Sequence, residues 1–147
     1  MNTKRLFPIA IAACIFAGVA ADSPSNSGVV YLNHERVSAM FATGGTLLAT
    51  NNFKVMALRR DKPGEVEVHD SDTDIFYIVE GTAKFVTGGQ VLEAKSIGHG
   101  ETRGRSINGG EERTLAKGDV LVIPNGVPHW FKDVRGEFLY YVVKVSH

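Results

Sequence analysis

A chain of 147 residues, 44% hydrophobic and 22% charged, has the composition of an ordinary globular domain with one sizeable core. That length leaves no room for two domains. Its 16 acidic and 16 basic side chains cancel, so the charge balance recommends neither nucleic acid nor a polybasic membrane contact.

Residues 1–21 carry a short basic start, Lys4 and Arg5, then an apolar run from Leu6 to Ala21 that ends in Val19-Ala20-Ala21. These are the three parts of a secretory signal peptide, with cleavage expected after Ala20 or Ala21 and a secreted or periplasmic destination. An alternative reading stays open at Ile11-Ala12-Ala13-Cys14, which resembles a lipoprotein cleavage box. Cleavage at Ala20 or Ala21 would take away the single cysteine, Cys14, and leave no thiol for disulfides, nucleophilic attack or metal binding. After cleavage no membrane attachment is expected.

Residues 22–28 have the small, polar composition of a flexible lead-in, and one domain is expected over 29–147. Asn33 is placed to cap a short helix through Phe41, with Gly44-Gly45 ending it. Thereafter the pattern is all-β. Phe53 to Arg60, Val66 to His69, Ile75 to Val79, Ala83 to Val86, Val120 to Ile123 and Phe138 to Val145 are short runs rich in Val, Ile, Phe and Tyr. Pro63-Gly64, Gly81, Gly88-Gly89, Gly109-Gly110, Gly118 and Gly126 punctuate them with tight turns. No long helical pattern alternates with these strands, which argues against a parallel α/β sheet. Gln90 to Thr114, glycine-rich and mixed in charge, reads as a long hairpin or loop excursion.

Glu67-Val68-His69 puts two metal-capable side chains on one face of a strand. A polar turn follows, and Asp74 opens the next strand, where a hairpin brings its carboxylate beside His69. Far along the chain, Gly118 to His129 ends a hydrophobic strand in a proline-glycine turn that presents an imidazole.

These two segments resemble the motifs of the cupin superfamily. The first cupin motif pairs two histidines one residue apart, then an acid three or four residues on, then six residues and a glycine. Glu67-x-His69, four residues, Asp74, six residues and Gly81 follow that spacing. The second motif is met in full by Gly118, Pro124, Gly126 and His129. Glu67 stands where the first histidine is usual, and Asp74 where a glutamate is usual.

The resemblance implies a double-stranded β-helix, or jelly-roll barrel, with the short helix packed outside. It also implies Glu67, His69, Asp74 and His129 as ligands of a divalent metal ion, and two nitrogens with two carboxylates suit Mn²⁺, Fe²⁺ or Zn²⁺. A secreted metal-dependent enzyme acting on a small organic molecule follows, with Glu67 or Asp74 moving a proton and with dioxygenase, isomerase and lyase chemistry not separated. The alternative is a non-catalytic module that binds a small molecule or the metal. A metal-free barrel is the competing arrangement, with Glu67 or Asp74 salt-bridged to Arg59 or Arg60. Against it, two facing carboxylates inside a barrel repel unless a cation intervenes. Homodimerisation through sheet edges is compatible with such a barrel.

Other residues yield weaker expectations. Phe76 and Ile78 share the face of Asp74 and are placed to wall the cavity. Trp130 should point opposite to His129. Arg103 and Arg105 are placed to grip a substrate carboxylate from the excursion, and His99, between Gly98 and Gly100, to swing toward the site as an acid or base. No chemistry is read at Lys144 or His147. The glycines of the excursion make no dinucleotide fingerprint, because no strand-turn-helix unit surrounds them.

Overall fold

The computed structural model describes residues 28–147. The expected signal peptide, Cys14 and all of the lead-in before Gly28 lie outside the described residues. Helix α1 (His34–Thr43) starts where Asn33 Oδ1 accepts the Arg36 N–H at 3.0 Å, a side-chain N-cap. It ends where Gly44, at φ 71°, turns its N–H back to Met40 O. The helix buries no residue fully and lies outside the sheets, with the Phe41 ring edge-on to Tyr141 at 5.0 Å. Among the described residues no helix is long and apolar enough to cross a membrane.

The strands in chain order are β1 (Gly45–Ala49), β2 (Phe53–Arg60), β3 (Val66–His69), β4 (Asp72–Glu80), β5 (Thr82–Thr87), β6 (Gln90–Leu92), β7 (Lys95–Gly98), β8 (Glu101–Gly104), β9 (Ser106–Asn108), β10 (Glu111–Ala116), β11 (Val120–Ile123), β12 (His129–Val134) and β13 (Phe138–Ser146). They form a five-stranded sheet in the order β1-β2-β13-β4-β11 and a six-stranded sheet in the order β10-β5-β12-β3-β8-β7, with β6 and β9 paired as a separate ribbon. Pairing is antiparallel throughout, and neighbours distant in sequence are interleaved, which is the jelly-roll arrangement the sequence implied.

Strand alternation explains which side chains fill the interior. Along β4, Asp74, Phe76 and Ile78 are buried while Tyr77 between them is exposed; along β13, Phe138, Tyr140 and Val142 are buried. From the facing sheet come Phe85 of β5 and Phe131 of β12, so the core is aromatic: Phe131 is stacked 6.0 Å from Phe76 and edge-on to Phe85 at 4.7 Å. This aromatic layer stops at Phe76 and Phe85, and beyond it the interior becomes polar.

The excursion from Gln90 to Thr114 is mostly strand, paired in antiparallel fashion as the hairpin alternative had it and the loop alternative did not. Its β8 pairs with β3 and extends the six-stranded sheet, although β7 and much of β10 are exposed and so carry no apolar alternation. Strand β12 also went unread: Lys132 and Asp133 interrupt its pattern, and its register with β5 shifts between Phe131 and Asp133.

Candidate metal centre

The polar end of the barrel is assembled from cross-strand pairs. Strand β3 sits between β12 and β8, so Glu67 lies opposite both His129 and Arg103, and His69 lies opposite Glu101. On the other sheet β4 and β13 place Asp74 opposite Lys144. The turn that presents His129 is tied to β3: Gly126 N–H donates to His69 O at 2.7 Å, and Asn125 Nδ2 donates to Asp70 O at 3.0 Å. Gly126 adopts φ 77° in this turn, a conformation glycine takes without strain.

All four side chains singled out in the sequence, Glu67, His69, Asp74 and His129, line one cavity of about 370 Å³. Glu67, His69 and His129 each offer one donor atom, all within 4.8 Å of one another. Asp74 stands beside them, with Oδ2 at 3.3 Å from His69 Nε2 and 3.7 Å from His129 Nε2, and Glu67 Oε2 is 3.6 Å from His69 Nε2. Two atoms that each bind one ion at about 2.1 Å with near-tetrahedral angles lie about 3.4 Å apart, so these separations suit shared coordination.

The ring tautomers follow from the partners. His129 Nδ1 donates to Val127 O at 3.1 Å, so Nε2 carries the lone pair; it is buried and has no hydrogen-bond partner. Burial pushes the His129 pKa down, against the opposing pull of Val127 O, Glu67 and Asp74, which keeps the ring neutral near pH 7. His69 Nε2 accepts a hydrogen bond from the Lys144 ammonium at 2.8 Å, which puts its proton on Nδ1, facing Glu101 Oε1 at 3.1 Å but not aligned for a full hydrogen bond. Both imidazoles therefore aim an Nε2 lone pair at the centre. With Glu67 they form a donor set that fits a first-row divalent ion, and the orphaned His129 Nε2 is the observation that says so.

The carboxylates are not left to repel one another, which corrects the argument from unbalanced charge. Glu67 is gripped by Arg103 Nη1 at 2.8 Å, with Arg60 Nη2 at 3.5 Å, and Asp74 by Lys144 at 2.8 and 2.9 Å. Burial alone would raise both carboxyl pKa values, but for Glu67 the Arg103 hydrogen bond and charge prevail, and for Asp74 the hydrogen bonds and charge of Lys144. Both stay below the ordinary range. Arg60 takes part as the metal-free arrangement foresaw; Arg59 instead pairs with Glu137 at 2.7 Å.

The remaining expectations divide. Phe76 lines the cavity, whereas Ile78 is part of the core without lining it. Trp130 points away from the site and donates Nε1–H to Gly64 O at 2.8 Å. Arg103 reaches the site but holds the chain's own Glu67 and Glu101, and exposed Arg105 pairs with Glu93. His99 is exposed, at φ 52°, and is not among the lining residues.

Lys144 and Glu101 went unread. Alternation supplied the signal for Lys144: after Phe138, Tyr140 and Val142, the next inward position on β13 is Lys144. Glu101 had no such signal, because its place depends on the pairing of β8 with β3.

Residues 22–147 match the model of the Cupin family. Among solved structures, a Bacillus halodurans protein is similar at 11% identity, TM-score 0.58, over 83% of this chain and 85% of its own. A Neisseria meningitidis protein is similar at 14% identity, TM-score 0.51, over 75% and 96%. The DMSP lyase of Ruegeria pomeroyi is similar at 16% identity, TM-score 0.50, over 71% of this chain but only 46% of its own. At such identities these similarities speak for the fold alone. A search of curated proteins gives no match. A family match over all but the first 21 residues, on a barrel carrying both motifs, shows that this chain belongs to the cupin family.

Proposed function

We propose that this chain is an exported, metal-dependent cupin enzyme acting on a small organic molecule held in the cavity. The observation that carries the reading is the buried, unpartnered His129 Nε2 facing His69 and Glu67. Glu67, His69 and His129 hold the ion, with Asp74 as a further carboxylate, and Mn²⁺, Fe²⁺ and Zn²⁺ suit this mixed nitrogen and oxygen set. When bound, the ion supplies Lewis acidity toward a substrate carbonyl or enolate oxygen.

The protein's own groups do the rest. Val127 O fixes the His129 ring, and Glu101 faces the protonated nitrogen of His69, so neither imidazole needs to reorient. Glu67 and Asp74 are ionised and are the proton acceptors at the centre; Glu67 is about one-quarter exposed to the cavity, while Asp74 is almost wholly enclosed. Met56, Leu58, Phe76 and Val142 give the cavity an apolar wall that excludes water from a bound organic group. The volume of about 370 Å³ is at the small end of ligand sites, which favours a compact substrate. The DMSP lyase among the similar structures supports a lyase as one reaction to assay. The export reading rests on residues 1–21.

Elemental analysis of protein purified without a chelating tag tests this reading. One equivalent of Mn, Fe or Zn is expected, lost in His69→Ala and His129→Ala; metal content unchanged across the series overturns it. Oxygen uptake with candidate diols or diketones then separates a dioxygenase from a lyase or isomerase. One observation favours the second reading, a non-catalytic binding module: Lys144, Arg103 and Arg60 already balance the carboxylates. Ligand capture without turnover in the metal-loaded protein would support that module.

A further inference from the structure

Lys144 enters the cavity from β13, and its Nζ lies 2.8 Å from His69 Nε2 and 2.8 and 2.9 Å from the two oxygens of Asp74. An ammonium has three hydrogens to donate, and these three acceptors satisfy all of them. Its side chain is only 15% exposed, so the contacts are shielded from water. A cation thus already sits among the groups that a metal ion needs.

The two cations exclude each other for an electronic reason. A neutral imidazole nitrogen has one lone pair. His69 Nε2 gives that pair to the Lys144 ammonium, and a metal ion requires the same pair. Asp74 is also engaged, both of its oxygens accepting from Lys144, although each keeps a second lone pair, so the exclusion acts through His69.

We propose that Lys144 is an internal competitor for the metal. The ammonium holds His69 and Asp74 in the metal-free chain and must leave His69 before an ion is bound. Its departure also releases Asp74 to join Glu67, His69 and His129. The cavity gives the displaced side chain somewhere to go, because Thr46 and Asp72 also line it and offer polar neighbours. Lys144 therefore sets how readily the site loads. This inference rests on the metal reading above and adds a residue that the ligand set itself does not contain.

Isothermal titration of the metal-stripped full chain with Zn²⁺ tests it in the unsubstituted protein, Lys144→Met and Lys144→Arg. Lys144→Met keeps the length of the side chain and removes the charge. It is expected to bind Zn²⁺ about tenfold to a hundredfold more tightly, the equivalent of one charge-assisted hydrogen-bond set no longer competing. Lys144→Arg, which keeps a cation there, should stay close to the unsubstituted protein. Equal affinity in the unsubstituted and Met proteins, both folded by circular dichroism, overturns the competitor role while leaving the metal reading intact. No Zn²⁺ binding by either protein overturns both. A second readout needs no variant: acylation of Lys144 by an amine-reactive ester, followed by mass spectrometry, should rise severalfold when Zn²⁺ is added. Equal labelling with and without bound Zn²⁺ overturns the proposal.

Discussion

Replacing Arg103 by Met removes the clamp on Glu67, the more accessible of the two carboxylates placed to hold the ion. Arg103 bridges Glu67 Oε2 at 2.8 Å and Glu101 Oε2 at 2.7 Å, and without it Glu67 keeps only Arg60, at 3.5 Å. Breaking a fully buried ion pair costs about 3–5 kcal/mol, but these side chains are about one-quarter exposed and solvent recovers part of the loss, so about 2 kcal/mol is expected. For a domain of this size that is a fall in Tm of about 8 °C. The loss depends on pH in a defined direction. Burial raises the Glu67 carboxyl, but Arg103 and the other charges outweigh it and hold the pKa below its ordinary 4.5. A depressed carboxyl stabilises the fold fully above its unfolded value and loses that contribution as pH falls through its folded value. The gap between the two proteins should therefore be complete at about pH 7 and smaller at about pH 3, below the ordinary carboxyl value. Thermal melts of metal-stripped protein, followed by circular dichroism, read both. A fall of less than about 2 °C at pH 7, or the same fall at both pH values, refutes the reasoning.

Further outcomes follow from the same geometry. Gly81 has φ 85°, and a Cβ there would run into the Glu137 carbonyl oxygen, whereas Gly126 at φ 77° faces open space. Gly81→Ala should cost about 3 kcal/mol or more and Gly126→Ala about 1 kcal/mol, read as urea midpoints; equal losses would contradict the stated close approach. Glu101→Gln removes the anion facing His69 Nδ1 and should weaken metal binding about tenfold to a hundredfold in a metal titration, with unchanged affinity removing Glu101 from the site's support.

Local signals made much of the barrel legible. Strands β2, β3 and β11 begin and end where the sequence placed them, because their β-branched and aromatic runs are bounded by glycine, proline or polar turns. The two spaced motifs likewise brought Glu67, His69, Asp74 and His129 to one cavity. What escaped depends on pairing between distant strands. Glu101 acts at the site, and Arg103 grips the chain's own Glu67 and not a substrate, because β8 lies beside β3, a register that no local pattern on this half-buried strand encodes. Lys144 was hidden differently: it continues the inward alternation of β13, but a lysine at the end of an apolar strand reads as the place where burial stops. Its pairing with Asp74 also supplies the counter-charge that two enclosed carboxylates seemed, in the sequence alone, to lack.

Cobalt substitution tests most directly whether Glu67, His69 and His129 share one ion. Paramagnetic proton NMR of the Co²⁺-loaded chain counts coordinated imidazoles through their strongly shifted, exchangeable ring N–H signals. The account predicts two such signals, from the Nδ1–H groups of His69 and His129, and one in His129→Ala. No shifted exchangeable signal, or a pair that survives in His129→Ala, would contradict it.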